Sequence, residues 1–458
     1  MIADLKPYPA YKDSGVPWLG QMPEHWEVLP FKYNYRVSMG QTILATDLKD
    51  DGEFPVISAT EEDHYFGRIS SPRFVLRPSD FVIPARGVSI GAVKRVTEPS
   101  VCTQTTIYAK QHSDQALESD FIFFYLRGCR TWLFEYDRTA IPQLTVEQVR
   151  NNPTLIPPLP EQTAIARFLD HYDRKIRRYI LAKQKLIKLL EEQKQAIIHH
   201  AVTRGLDPNA RLKPSGVEWL GDMPEHWEVK RTKVLFRLRT EKSGTAHGQE
   251  LLSIYTHVGV RPRKDLEERG NKASTTDDYW IVRRGDIIAN KLLAWMGAIG
   301  VSHYDGVTSP AYDILMPIVD LIPDYYHHLF RTRLYLQQFK QRSRGIMDMR
   351  LRLYFDQFGQ ILVPVPPLDE QRAIVRFYND ATVDTDRVID RTRREISLLR
   401  EYRTRLIADV VTGKLDVRSV ELPELDEAEI LDGLETSEDI EEVVSEEGDE
   451  EALEGLDA

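Results

Sequence analysis

Ile156-Pro157-Pro158-Leu159-Pro160-Glu161-Gln162 and Val365-Pro366-Pro367-Leu368-Asp369-Glu370-Gln371 are two copies of one motif, 209 residues apart. In each copy prolines precede a long charged stretch, and proline at this position suits the start of a helix. Each stretch closes on Leu-Asp, again with a separation of 209 residues. The motif therefore predicts two related long helices, at residues 161–204 and 370–413.

Apolar residues recur along both predicted helices, mostly at alternating spacings of four and three, from Ile165 to Ala201 and from Ile374 to Val410. This is the period of a coiled coil. At about 1.5 Å per residue each helix would span roughly 66 Å, which is too long for a lone globular helix. Because a globular segment separates the helices along the chain, antiparallel pairing is the favoured arrangement.

A second repeat precedes each globular segment, since residues 14–28 recur as residues 215–229, 201 positions later. We call these two stretches the anchor segments. Both contain Met-Pro-Glu-His-Trp-Glu, with the tryptophans at Trp26 and Trp227. Tryptophan offers a side chain to bury, so we expect each segment to pack on the rest of the fold. A site centred on the histidine is disfavoured, because no second histidine or carboxylate cluster holds metal-ligand spacing with it.

The two globular segments share a frame while their other residues differ. Asp80 is followed eleven residues later by Gly91, and Asp286 eleven residues later by Gly297. In the first segment, short apolar runs predict strands at residues 73–76, 81–83, 92–96 and 105–108. A helix is predicted to follow in each segment, at residues 121–136 and 324–342.

The predicted fold class is α+β, with two repeated mixed α/β domains separated by two long helices. The helices are expected to pair as an antiparallel coiled coil, which gives the chain a pseudo-two-fold internal repeat. The predicted domains are residues 1–154, 155–207 with the first long helix, 208–363, 364–416 with the second long helix, and an acidic tail at 417–458.

The net charge of −11 is concentrated at one end of the chain. Residues 417–458 hold 18 acidic residues and one basic residue, Arg418, whereas the rest of the chain is mildly basic, with 59 basic and 53 acidic residues. A basic body is compatible with a polyanionic partner. For the tail we expect disorder; the alternative is a short helix that docks on a partner or shields the basic body.

The cysteine content, the hydropathy and the motifs that the sequence lacks indicate the compartment and the class of protein. Cys102 and Cys129 offer neither a disulfide framework nor zinc spacing, which favours the reducing cytoplasm. The sequence has no apolar run of about 18 residues, so no membrane span is expected. It also lacks a phosphate-binding loop, a cofactor-binding glycine loop and a nuclease core, so we expect a non-catalytic chain without a metal or cofactor of its own.

Basic and amide side chains near the glycine turns and strand edges are the candidates for contacting nucleic acid, because Arg, Lys and Gln clamp phosphates or read base edges. Two related but non-identical modules on a rigid spacer predict two non-identical half-sites at a fixed separation. The candidate DNA contacts are Arg86, Lys94, Arg95 and Gln104 in the first segment, and Arg261, Arg263, Lys264, Lys291 and Trp295 in the second.

Over residues 13–416 the chain resembles the specificity subunit of a type I restriction–modification enzyme. The resemblance rests on the two anchor segments, the two Pro-Pro-Leu motifs, and Asp80–Ala92 and Gly285–Gly300, which look like parts of target-recognition domains. It implies that each recognition domain reads one half of a bipartite, asymmetric double-stranded DNA site. It also implies that the helices set the gap and dock two modification subunits, with Pro158, Glu161, Gln162, Pro367, Glu370 and Gln371 at the helix starts.

The resemblance assigns the chemistry to partner subunits. Modification subunits would bring S-adenosylmethionine for adenine methylation, and restriction subunits would bring ATP and Mg for translocation and cleavage, in the cytoplasm. Two alternatives remain. A self-contained nuclease or methyltransferase is disfavoured by the missing motifs. A protein-binding coiled-coil scaffold without DNA readout would show no salt-dependent DNA binding.

Overall fold

The computed structural model describes residues 5–60, 64–112, 117–135, 142–244, 249–256, 259–265, 279–345 and 351–423. Within these residues the chain divides into two compact units. The first unit comprises residues 5–182 and 394–423, and the second comprises residues 183–393. Each predicted long helix is thereby shared between the units. Most of the predicted tail, residues 424–458, lies outside the described residues, and the predicted domain boundaries stay a prediction.

The first unit is a mixed α/β body. Its strands are β1 Tyr11–Asp13, β2 Gln21–Pro23, β3 Glu27–Pro30, β4 Tyr35–Met39, β5 Phe54–Ile57, β6 Gly67–Ile69, β7 Phe81–Pro84, β8 Lys94–Arg95, β9 Val101–Cys102, β10 Thr106–Gln111 and β11 Pro153–Ile156. Its helices are α1 Ser119–Gly128, α2 Arg130–Leu133, α3 Val146–Asn151 and, as far as residue 182, the first long helix α4 Leu159–Arg204.

The centre of the first unit is a four-stranded sheet of order β4-β10-β7-β8, in which every pairing is antiparallel. Beside it, β5 pairs with β6 and β9. Side chains alternate between the two faces of a strand. Every residue of β7 is buried, so both of its faces are covered. Phe81 and Ile83 pack with the helices, whereas Val82 packs with Ile57 and Cys102 of β5 and β9.

Some of the strand and helix predictions for this unit are confirmed, and others are wrong. Strands form at the predicted positions of β7 and β10, but residues 73–76 form no strand, and only Leu76 makes an isolated bridge, to Ser100. The single helix predicted at residues 121–136 is instead two helices, α1 and α2, that meet at Cys129. Gly128 ends α1 where a Cβ would approach Ile407 to 2.9 Å, so α1 stops in close contact with the second long helix.

The second unit is also mixed α/β. Its strands are β12 Leu212–Pro214, β13 Asp222–Pro224, β14 Glu228–Arg231, β15 Phe236–Leu238, β16 Leu252–Tyr255, β17 Gly259–Pro262, β18 Trp280–Val282, β19 Ile287–Asn290, β20 Ile299–Val301, β21 Gly306–Thr308, β22 Tyr312–Pro317 and β23 Leu362–Val365. Its helices are α5 Thr232–Leu235, α6 Pro323–Phe330, α7 Arg333–Arg342, α8 Phe355–Phe358 and, up to residue 393, the second long helix α9 Leu368–Val411.

A four-stranded sheet of order β15-β22-β19-β20 forms the centre of the second unit. β19 is buried on both faces: Ile287 and Ala289 pack with the helices, and Ile288 packs with β16 and β17. The helix predicted at residues 324–342 is broken into α6 and α7 at Arg331 and Thr332. Its aromatic side chains, among them Tyr326 and Phe330, form a dense cluster of ring contacts against the sheet.

Ion pairs join the two long helices within each unit. In the first unit Arg403 Nε of α9 donates to Asp173 Oδ1 of α4 at 2.6 Å, and Arg177 lies 2.8 Å from the same carboxylate. Burial alone would raise the pKa of Asp173, but these arginines hold it below its ordinary value. In the second unit Arg393 pairs with Glu191 at 2.9 Å, and Lys194 pairs with Asp386.

A glycine that an anchor segment covers lies just after the end of each long helix. In the first unit Gly413, at φ 75°, lies so close to the anchor segment that a Cβ would meet Pro23 Cδ at 2.4 Å. In the second unit Gly205 adopts φ 77°, and a Cβ there would meet Trp227 Cζ2 at 3.3 Å. The left-handed backbone favours glycine at a helix C-terminus. No helix among the described residues is long and apolar enough to cross a membrane.

Candidate nucleic-acid interface and helix starts

One edge of the first unit collects the ends of several strands. Because β10 runs antiparallel to both β4 and β7, the residues after β4 and β7 lie beside those before β10. Gln41 N donates to Cys102 O and Thr103 N donates to Ile57 O, so the ends of β5 and β9 reach the same edge. We call residues 40–42, 58–60, 85–91 and 103–105 the loop edge of the first unit.

Two of the predicted DNA-contacting residues lie together at the loop edge. Arg86 and Gln104 are both exposed, and they adjoin Ala85 and Thr105, which are joined by a backbone hydrogen bond of 2.9 Å. Gln104 Oε1 accepts a hydrogen bond from Thr42 Oγ1 at 2.8 Å, which leaves the amide of Gln104 oriented by its neighbour. An exposed guanidinium and an oriented amide are the groups that bind phosphates or base edges.

The other two candidates of the first unit have internal partners. Lys94 is only 7% exposed, and its Nζ donates to Thr60 Oγ1 at 2.8 Å, under the loop edge. Arg95 pairs with Phe81, at the far end of β7 from Arg86. Its guanidinium lies 2.7 Å from Asp120 and 4.4 Å from the Phe123 ring centroid. The structure therefore separates Arg95 from Arg86 and Gln104.

In the second unit Lys291 and Trp295 lie in the loop between β19 and β20. Lys291 Nζ donates to Pro310 O at 3.1 Å and lies 3.4 Å from Asp313. Burial raises the pKa of Asp313 above its ordinary value, although Lys291 opposes this shift. Trp295 is half-buried under Lys340, whose Nζ is 4.7 Å from the ring centroid. Both side chains are held by neighbours, and Lys291 lies at the turn of Pro310.

Arg261, Arg263 and Lys264 lie on β17 and in the turn that follows it. Arg261 is half-buried and donates to its neighbour's carbonyl, and the exposed Lys264 pairs with Glu250. β17 forms a hairpin with β16. The nine candidates thus occupy several surfaces, and a role for each in DNA contact stays a prediction.

The sequence analysis did not identify the arginines whose guanidinium groups donate hydrogen bonds to backbone carbonyls of the loops. Arg331, after α6, donates through Nη1 to Gly297 O at 2.6 Å and through Nη2 to Thr256 O, and so joins the β19–β20 loop to the β16–β17 hairpin. Burial lowers the pKa of its guanidinium. In the first unit Arg130 donates to Ile90 O at 2.6 Å. Nothing in the local sequence distinguishes these arginines from surface charges, because their carbonyl partners are distant along the chain.

The recurrence of the same residues in both repeats is explained by a hydrogen-bonded contact at each helix start, which we call the clamp. In the first unit Glu161 accepts from Trp26 Nε1 at 3.0 Å and pairs with His25 Nε2 at 2.7 Å. In the second unit Glu370 accepts from Trp227 Nε1 at 2.8 Å and pairs with His226 Nε2 at 2.6 Å.

The glutamine beside each clamp glutamate holds the globular segment. Gln162 accepts from Glu118 N at 3.0 Å and donates to Pro157 O at 2.8 Å. Gln371 accepts from Ile322 N at 2.9 Å and donates to Pro366 O at 2.8 Å. Trp26 and Trp227 are fully buried, as expected for anchor segments.

The helix-start residues predicted to dock partner subunits differ in accessibility. Glu161, Gln162 and Gln371 are at most 5% exposed and are satisfied within their own units. The Glu370 side chain is 39% exposed, and Pro158 and Pro367 are exposed. A docking role for this set stays a prediction. Among the described residues, no group of three or more His, Cys, Asp or Glu could hold a metal ion.

Comparison with known proteins agrees with this architecture. Residues 23–190 match the family described as type I restriction modification DNA specificity domain. The chain is 20% identical over 425 residues to the type I restriction enzyme MjaVIII specificity subunit of Methanocaldococcus jannaschii, covering 87% of this chain and 95% of that protein. It is 21% identical over 420 residues to the EcoDI specificity subunit of Escherichia coli, covering 86% and 90%.

A chain from a solved structure of a type I R-M system superimposes with a TM-score of 0.57 and 16% identity, over 86% of this chain and 99% of that chain, and so shares its fold. The match at residues 23–190 places the similarity to a type I restriction modification DNA specificity domain in the first unit and the adjoining start of α4. Over most of its length the chain is similar to the specificity subunits of these systems.

Proposed function

We propose that the two units carry two target-recognition domains, and that each domain reads one half of a bipartite, asymmetric site in double-stranded DNA. The observation that carries the proposal is the parallel construction of the two units. Each has a four-stranded antiparallel sheet and an anchor segment that a clamp joins to the start of a long helix. Residues on the loops differ between them, so the two half-sites are expected to differ.

The long helices are proposed to form an antiparallel coiled coil that sets the gap between the half-sites. The pairings of Asp173 with Arg403, and of Lys194 with Asp386, support this, because residue numbers rise along one helix as they fall along the other. A pseudo-two-fold internal repeat would then relate the two halves of the chain. Apolar side chains exposed on the helices, such as Leu189, Phe377 and Leu398, suit docking of modification subunits.

The chain is proposed to act as the non-catalytic member of an assembly in the cytoplasm. We expect modification subunits to supply S-adenosylmethionine and to methylate adenine in each half-site. We expect restriction subunits to supply ATP-driven, Mg-dependent translocation and cleavage. The buried free thiols of Cys102 and Cys129 fit a reducing compartment.

The test is to co-express the chain with its neighbouring modification subunit in a host without adenine methylation, and to map methyladenine across the genome. One motif with two short halves and a constant gap is expected. A single contiguous motif would mean that only one domain reads DNA. A stable complex that neither methylates DNA nor binds it in a salt-dependent way would favour the coiled-coil scaffold instead.

Single substitutions assign the half-sites to the two domains. Arg86→Ala and Lys291→Ala are each expected to relax the motif in one half only, and in different halves, because they lie in different units. Arg36→Ala is the matched control, since Arg36 is exposed near the opposite end of β4 from the loop edge. Loss of specificity in both halves from either substitution would contradict separate reading.

Shortening the helices tests their proposed role as a ruler. Removing one turn, about four residues, from the part of one long helix that lies between the clamps is expected to change the gap and to leave both half-sites intact. A changed half-site sequence with an unchanged gap would contradict the proposal that the helices set the gap.

A further inference from the structure

Val88, at the tip of the loop between β7 and β8, is the most exposed large hydrophobic side chain among the described residues, at 94%. It follows Gly87, which adopts φ 85°, and precedes Ser89, which is fully buried. Isolated exposed apolar residues are common on protein surfaces. Val88 differs from such residues because it lies at the loop edge and its loop is rigid.

The loop that carries Val88 is fixed on both sides of the tip. Ser89 Oγ donates to Ala59 O at 3.0 Å, and Gly91 N donates to Pro84 O at 2.9 Å. Arg130 holds Ile90 O at 2.6 Å. An unconstrained loop could fold an isopropyl group back onto the surface. This loop holds Val88 in water, where an apolar group gains from any contact that removes it.

The groups around Val88 suit a duplex. Arg86 is two residues before it and Gln104 lies on the adjoining strand connection, both exposed, so a cation and an amide accompany the apolar tip. In the major groove the thymine C5-methyl group is the apolar feature of the base edges, next to the acceptors that Arg and Gln bind.

We propose that Val88 is a specificity-determining residue that contacts the C5-methyl group of one thymine in the half-site read by the first recognition domain. The inference rests on the proposed function. In the second unit the residue eight positions after Asp286 is Ala294, which is buried, as against Val88 eight positions after Asp80. The contact therefore belongs to one half-site only.

The test uses the chain assembled with its modification subunit and a duplex that carries the mapped motif. Each thymine is replaced in turn by uracil, which removes only the C5-methyl group, and binding is measured for wild type and Val88→Ala. For the wild type we expect one uracil position, in one half-site, to weaken binding about fourfold, as for the loss of one buried methyl group. For Val88→Ala the same replacement is expected to have no effect.

Val234→Ala is the matched control, because Val234 is 49% exposed on α5 of the second unit. It should keep the wild-type response to uracil. The inference is overturned if no thymine responds to uracil in the wild type, or if the response persists in Val88→Ala. Failure of the proposed function is distinct, since the wild-type complex would then lack a bipartite motif and would show no preference for the mapped duplex at all.

Discussion

Replacing Glu161 with alanine removes the acceptor shared by Trp26 and His25 in the clamp of the first unit. Glu161 is 5% exposed and Trp26 is fully buried, so water cannot readily take the place of the carboxylate. The same substitution at Glu370 of the second unit removes an equivalent pair of contacts. There the carboxylate side chain is 39% exposed, and water can reach the groups left behind. The two clamps therefore form an internal comparison.

The expected magnitudes follow from burial. A hydrogen bond to a charged group contributes about 1.5–3 kcal/mol, and a buried donor left without a partner costs about 1–3 kcal/mol. For Glu161→Ala we expect local stability at the start of α4 to fall by about 3 kcal/mol. For Glu370→Ala, with partial access of water, we expect about 1 kcal/mol at the start of α9. Glu161→Gln keeps an acceptor for the indole and should cost less than Glu161→Ala.

Hydrogen exchange followed by mass spectrometry measures this local opening directly. Peptides covering residues 159–168 should exchange about a hundredfold faster in Glu161→Ala, and those covering residues 368–377 about fivefold faster in Glu370→Ala. The reasoning is refuted if the two substitutions have equal effects, or if the exposed clamp is the more sensitive. Equal protection of residues 159–168 in wild type and Glu161→Ala would show that the clamp does not stabilise the helix start.

Three further substitutions test the packing and the buried charges. Gly413→Ala should lower the free energy of unfolding by about 2–4 kcal/mol in urea titrations, since it combines left-handed strain with overlap on the anchor segment; Gly15→Ala, at a similar φ but in open space, should cost about 1 kcal/mol. Asp173→Asn should be less stable than wild type at neutral pH, because the arginines lower the pKa of Asp173. A carboxylate with a lowered pKa stabilises the fold above its unfolded pKa and loses that contribution as pH falls through its folded value. The deficit should therefore shrink below about pH 4, and a constant deficit from pH 6 to pH 3 would contradict the pairing with Arg403. Burial lowers the pKa of His328 to about 4, so wild type should lose stability as pH falls from 6.5 toward 4. His328→Phe should reduce the loss between pH 7 and pH 5 by about 2 kcal/mol, and an unchanged pH profile would contradict it.

The long helices were predicted closely because their signals are local. The predicted starts at Glu161 and Glu370 compare with Leu159 and Leu368, and the predicted end at Arg204 is confirmed. Proline before a helix, glycine after it and a regular apolar period act within a few residues of chain. These signals need no knowledge of the rest of the fold.

The predictions that failed concern segments whose state depends on tertiary contacts. Residues 73–76 are apolar enough for a strand, but beyond the bridge at Leu76 they find no partner strand. The helical patterns at residues 121–136 and 324–342 continue across breaks at Cys129 and Arg331. Next to the first break Gly128 lies against Ile407, and at the second Arg331 donates to the carbonyl of Gly297. Secondary-structure propensity is a property of the local sequence, so it does not show contacts with residues that are distant in the chain.

The sequence by itself determined that this chain has two anchor segments and two long helices, and which glutamate, glutamine and tryptophan recur in each. The tertiary structure alone decided that Glu161 contacts Trp26 and that Arg86 and Gln104 lie at the same edge. It also decided that Lys94 and Arg95 have internal partners and that Val88 is held in water. The physical reason is the range of the forces: helix signals act between neighbours in sequence, whereas hydrogen bonds and burial join whichever residues the whole path of the chain brings together.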